Sequence, residues 1–97
     1  MLAELLATAG VREESVLRSR FGFMAFHGGS LEEMTDIIAA DAAARCGASY
    51  YGLLQPEDLQ WHIPSHKLSP ADSSAMQAFI DHVDVVITVH GLSLIHI

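Results

Sequence analysis

Basic residues are scarce in this chain. Five Lys and Arg stand against twelve Asp and Glu, and the formal net charge is −7. That balance argues against nucleic acid as a partner, because neutralising phosphates takes clustered cations. Cysteine is nearly absent as well. Cys46 has no second thiol to pair with, so no internal disulfide can form. It falls in an alanine-rich helical run, where a buried, inert thiol is expected. No apolar stretch approaches the roughly 20 residues of a membrane span, so no membrane partner is expected. The opening Met1–Gly10 is apolar but short, carries Glu4 and lacks the basic start of a signal peptide. A cytoplasmic location is the reading that fits. What remains is a 97-residue chain that is 51% hydrophobic, enough for the core of one small domain.

The apolar pattern changes period along the chain. Residues 1–8 read as a short helix closed by Gly10, and Val11–Ser19 as a polar edge strand. Phe21–Phe26 (FGFMAF) is a continuous apolar run, as in a strand covered on both faces, and is expected to break at Gly28-Gly29. A helix follows, with Ser30 as N-cap and Glu33 completing a capping box. Leu31, Met34, Ile38 and Ala42 would form its buried face, and Gly47 would end it. Ser49–Leu54 reads as a second strand, rich in aromatic and aliphatic residues, Gln55–Gln60 as a polar loop, and Trp61–Pro64 as extended backbone. Ser69, Pro70 and Asp72 announce another helix, with Ala75, Met76, Phe79 and Ile80 facing inward. Val83–Val89 (VDVVITV) is a third buried strand. The alternation predicts an α/β domain, layered α/β/α around a mostly parallel sheet with right-handed crossovers.

Two of these strands end in the same way, at Phe26-His27-Gly28 and Val89-His90-Gly91. In open α/β sheets, sites form beyond the carboxyl ends of the strands, where strand order reverses. The expected order is therefore strand 49–54, strand 21–26, strand 84–89, with both histidines at the reversal. Glu32 follows His27 by five residues across a Gly-Gly pair that lets the backbone turn tightly. Two His and one carboxylate, with a fourth position left for water, make a catalytic zinc set. A strand-terminal His is also commonly a polar residue reaching solvent, and a Glu in a first helical turn is commonly a favourable charge on the helix dipole. Spacing leaves both readings open. His82, near a helix end, reads as structural, and Tyr50, Tyr51 and Trp61 as core or rim.

Three blocks extend the case by resemblance. His27-Gly28-Gly29-Ser30-Leu31-Glu32 followed by Thr35-Asp36 resembles the H-[GA]-G-x-[IL]-E…T-[ST]-E signature of the poly-γ-glutamate hydrolase family. Trp61–His66 (WHIPSH) is similar to its L-H-[IV]-x-S-x-H segment, and Val83–Gly91 to its second metal strand. The blocks keep the family's order over roughly residues 20–91. The resemblance implies a zinc-carboxypeptidase-like fold and cleavage of γ-glutamyl amide bonds in a polymer or small peptide. It makes His27, Glu32 and His90 the ligands of Zn2+. His62 and His66 flank Ser65 in an extended segment, where both substrate binding by His62, Ser65 and His66 and a plain surface or structural role stay open. Met34 departs from the pattern, standing where the family usually has Gly, and the segment around His62 and His66 is one residue shorter than in some members. The family is longer, so residues 1–97 are expected to form a single partial catalytic domain, incomplete at its C-terminal side. The general base and the substrate-binding arginines would come from later strands, and the piece alone would be inactive and prone to aggregate. The ending Leu92–Ile97 (LSLIHI) resembles translated sequencing-adapter read-through and is expected to be non-native. Two other functions fit the same residues: a zinc carboxypeptidase or amidase acting on another substrate, such as cell-wall peptide, and a non-catalytic metal-binding α/β domain.

Overall fold

A computed structural model describes residues 2–29, 34–57, 59 and 68–90. Its elements are α1 (Leu2–Leu6), β1 (Arg12–Val16), β2 (Phe21–Gly29), α2 (Thr35–Cys46), β3 (Ser49–Gln55), α3 (Ser74–His82) and β4 (Val85–Thr88). A 3-10 turn at Pro70–Asp72 leads into α3. The four strands form one sheet in the order β1-β3-β2-β4. β2 lies parallel to both β3 and β4, so the order expected for the three apolar strands is the one found. The sheet as a whole is mixed rather than mostly parallel, because β1 runs antiparallel to β3 at the edge. The sequence REESV carries no apolar alternation that would have set its direction.

Strand alternation divides the core in two. Met24 and Phe26 of β2 and Tyr51 and Leu53 of β3 join Leu2 and Leu5 of α1 and Met76 and Phe79 of α3. On the opposite parity, Ala25 and Tyr50 join Ala39 and Ala43 of α2, with Phe21 and Phe23 packed beside them. Helices therefore cover both faces of β2 and β3, which explains why these strands read as unbroken apolar runs. All seven residues of β3 are buried. The bidentate pair Arg20–Asp84, at 2.7 Å in each arm, joins the start of β2 to the start of β4 on the surface. The pairing continues past β4, where the Val89 amide donates to the Met24 carbonyl at 2.8 Å.

The helices depart from expectation at their starts and faces. α2 begins at Thr35, after a left-handed Met34 (φ 74°) that provides no side-chain cap. Ser30 and Glu33, the expected capping box, lie outside the described residues. Its buried face is Thr35, Asp36, Ala39 and Ala43, while Met34, Ile37 and Ile38 are exposed. Alanines let the helix lie close to the sheet, and the larger side chains turn outward. Gly47 ends α2 as expected, in the left-handed region at φ 68°, with its N–H returned to Ala44 O at 3.4 Å. Cys46, in the last turn, is exposed rather than buried. α3 is capped by Ser73, whose hydroxyl accepts from the Met76 amide at 3.0 Å, and not by Ser69. Ser69 and Pro70 start the 3-10 turn instead. Met76 and Phe79 are buried as expected, but Ile80 is exposed. Strand β4 is exposed along its whole length, against the burial its composition suggested, because among the described residues neither core cluster extends over its side chains.

Candidate functional site

β2 does not stop at the Gly-Gly pair but runs through it to Gly29. This is possible because the strand carries a bulge. Ala25 pairs with Gly52 and Gly28 with Leu54, so three steps along β2 match two along β3. Phe26 and His27 occupy the irregular stretch. A bulge of this kind re-aims side chains and is common beside functional sites. Beyond it, the strand end lies tight on β3. Gly29 adopts φ 72°, and a Cβ there would sit 2.4 Å from the Gln55 carbonyl oxygen, so only glycine fits.

His27 and His90 meet at this edge. Their ring centroids are 6.1 Å apart, with an interplanar angle of 65°. Phe26 touches both edge-on, at 4.9 Å from His27 and 5.0 Å from His90. His27 is half-buried, with Nδ1 removed from solvent, whereas His90 is exposed. The apolar Phe26 ring thus lies against both imidazoles, and His90 opens the pair to solvent. Among the described residues, no group of three or more His, Cys, Asp and Glu gathers as a metal site would need. Glu32, the third ligand implied by resemblance, lies outside the described residues, as do His62, Ser65 and His66.

One residue of this region had no role assigned from the sequence. Asp36, in the first turn of α2 and 9% exposed, accepts the Gly29 N–H through Oδ1 at 3.0 Å. A side chain bonding backbone seven residues away, across a loop, leaves no spacing rule to find it by. His82 is structural, as read from sequence: its Nε2 lies 2.9 Å from the Arg18 carbonyl oxygen.

A second polar cluster lies at the other edge of the sheet. The Tyr51 hydroxyl and the Ser73 hydroxyl both donate to Oε2 of Glu13, and Tyr50 donates to Glu14 at 3.0 Å. Glu13 sits opposite Leu53 and Glu14 opposite Gly52 in the β1–β3 register. These bonds fix the antiparallel edge strand and tie it to the N-terminus of α3. Burial, then the neighbouring carboxylates, push both tyrosine pKa values far above the usual phenol range.

Among the described residues, no helix is long and apolar enough to cross a membrane. No curated protein and no solved structure gives a match to the chain. The model of one family, described as poly-gamma-glutamate hydrolase, matches residues 4–96. That is nearly the whole sequence, and the chain belongs to the poly-gamma-glutamate hydrolase family.

Proposed function

We propose that this chain supplies the metal-binding part of a zinc-dependent amidohydrolase with a zinc-carboxypeptidase-like fold, acting on γ-glutamyl linkages of poly-γ-glutamate or related peptides. The observation that carries the reading is the meeting of His27 and His90 at the ends of neighbouring parallel strands, with ring centroids 6.1 Å apart. Two imidazoles sharing one tetrahedral zinc at about 2.0–2.1 Å would bring their ring centres to about 5 Å. The pair stands close to that separation in the fold itself, so a metal would draw together groups already placed, at little cost in rearrangement. Nitrogen donors suit Zn2+, and Glu32 is the oxygen donor the family pattern supplies. His27, Glu32 and His90 would hold the ion. When bound, zinc would lower the pKa of a coordinated water and polarise the scissile carbonyl.

The chain's own groups prepare that edge. The bulge at Phe26-His27 presents the first imidazole, and the parallel β2–β4 pairing brings the second to it. Phe26 packs against one side of both rings. His62, Ser65 and His66 are proposed to hold substrate, their hydroxyl and imidazole groups being suited to amide and carboxylate oxygens.

Zinc content of the full-length protein, chelator competition and its hydrolysis of a γ-glutamyl peptide test the reading together. Glu32→Gln should weaken zinc binding strongly, and its neighbour Glu33→Gln should not. Equal zinc loss in both variants would remove Glu32 from the ligand set. Zinc binding by the full-length protein without hydrolysis of γ-glutamyl or cell-wall peptides would favour a non-catalytic metal-binding domain.

A further inference from the structure

We propose that Asp36 is a positioning residue for the metal edge: its carboxylate clamps the backbone after His27 to α2 and so holds the His27 imidazole facing His90. The inference rests on the metal-site reading above and adds a residue to it.

The clamp has three parts. Oδ1 of Asp36 accepts the Gly29 N–H at 3.0 Å, a hydrogen bond strengthened by the charge on the carboxylate. The Asp36 side chain also packs flat on Gly28, where an added Cβ would lie 2.9 Å from the Asp36 Cβ and 3.2 Å from the Leu53 carbonyl oxygen. Gly28 is thus enclosed between α2 and β3, with no room for a side chain. Finally, the carboxylate occupies the first turn of a twelve-residue helix, where the N-terminal dipole favours a negative charge. This offsets part of the cost of burying it.

The consequence is geometric. His27 sits in a bulge, where regular ladder pairing does not by itself fix the side-chain direction. The residues that follow are held by β3 on one side, through Gly29 against Gln55, and by Asp36 on the other. His90 is held independently, through the bond of the Val89 amide to the Met24 carbonyl. Asp36 therefore controls one partner of the histidine pair and not the other. It also fixes the point from which the chain departs toward Glu32. Groups that hydrogen-bond metal ligands directly contribute about 10–100-fold to metal affinity, and Asp36, acting one step removed through the backbone, is expected at the lower end.

The test uses the full chain and has one readout without metal and one with it. In metal-free protein, NMR should show cross-ring contacts between His27 and His90 and a protected Gly29 amide. Asp36→Ala should weaken both while leaving the Val89 amide protected. Asp36→Asn, which keeps an acceptor oxygen, should restore them. With zinc, chelator competition should show affinity lower by about tenfold or more in Asp36→Ala and a substantial recovery in Asp36→Asn. If Asp36→Ala does not fold, the comparison of Asp36→Asn with Asp36→Leu, matched in size but without an acceptor, takes its place. Retention of the His27–His90 contacts and of wild-type zinc affinity without an acceptor at position 36 would overturn the clamp. Absence of zinc binding by the unaltered protein would instead overturn the metal-site reading, and the metal-free NMR would still decide whether Asp36 positions His27.

Discussion

Position 34 offers a direct measurement of local backbone strain. Met34 precedes α2 with φ 74° and ψ −12°, a left-handed conformation that costs an L-residue about 1–2 kcal/mol. Glycine adopts it freely but loses more backbone entropy on folding, by about 0.5–1 kcal/mol. Met34→Ala keeps the strain and removes the side chain, so the comparison of Met34→Ala with Met34→Gly isolates the backbone term. The Met34→Gly variant should be the more stable by about 0.5–1 kcal/mol, the difference of those two effects. Inside a helix the preference runs the other way, with glycine worse than alanine by about 1 kcal/mol. The sign alone therefore decides. For a chain of this size the difference corresponds to about 2–8 °C in Tm. Urea unfolding provides the same quantity as a shift in midpoint at unchanged slope. An alanine variant as stable as the glycine variant, or more so, would refute a left-handed residue at the start of α2. The result bears on the family resemblance too, since a left-handed position explains why its pattern usually has Gly here.

The mirror experiment is Gly47→Ala. At φ 68°, with nothing within 4 Å of an added Cβ, the substitution should destabilise the protein by about 0.5–1 kcal/mol through the backbone alone; an unchanged urea midpoint would contradict the left-handed C-cap. Tyr50 and Tyr51 are the only tyrosines of the chain, and both have pKa values raised by burial and by neighbouring Glu14 and Glu13. Their contribution to stability is present in full below the unfolded-state pKa of about 10. It is lost as pH rises from there toward the folded values, because the unfolded chain releases phenolic protons first. Tyrosinate absorbance should thus appear together with loss of helical circular dichroism, and a phenol titrating near pH 10 in folded protein would contradict the buried cluster. Cys46 is exposed and should react with a thiol reagent in native protein nearly as fast as in denatured protein; strong native-state protection would place it back in the core.

The parts of the fold that were legible in the sequence share one physical property. β2 and β3 are covered on both faces, so Phe21–Phe26 and Ser49–Leu54 appear as apolar runs whatever their neighbours do. Gly47 was legible because a left-handed C-cap selects glycine. The order of the three apolar strands followed from placing two strand-terminal histidines at a reversal point. What was illegible depended on contacts distant in sequence. The direction of β1 is set by Tyr50 and Tyr51 reaching Glu14 and Glu13, a match of side chains that no local pattern announces. The rotation of α2 is set by how closely alanine lets a helix approach the sheet, so hydrophobicity at Met34 and Ile38 pointed to the wrong face. Of the candidate site, the meeting of His27 with His90 was legible from strand ends, whereas the hold of Asp36 on Gly29 was not, because a side-chain bond to backbone across a loop has no period.

The bulge in β2 acts as a phase shift. Along a regular strand, odd and even residues belong to opposite faces, and one inserted residue exchanges the two sets for everything downstream. Here the exchange falls between Ala25 and Gly28. Upstream residues keep the parity that builds the two cores, and the histidine and glycines beyond them keep another. The core and the histidine edge of one strand are therefore written in different reading phases. Deleting one residue between Ala25 and Gly28 would leave Phe21–Ala25 packed as before and restore even counting with β3. The same deletion would leave one position for the two residues that now fill the bulge, so the histidine pair would lose either Phe26 or His27 itself.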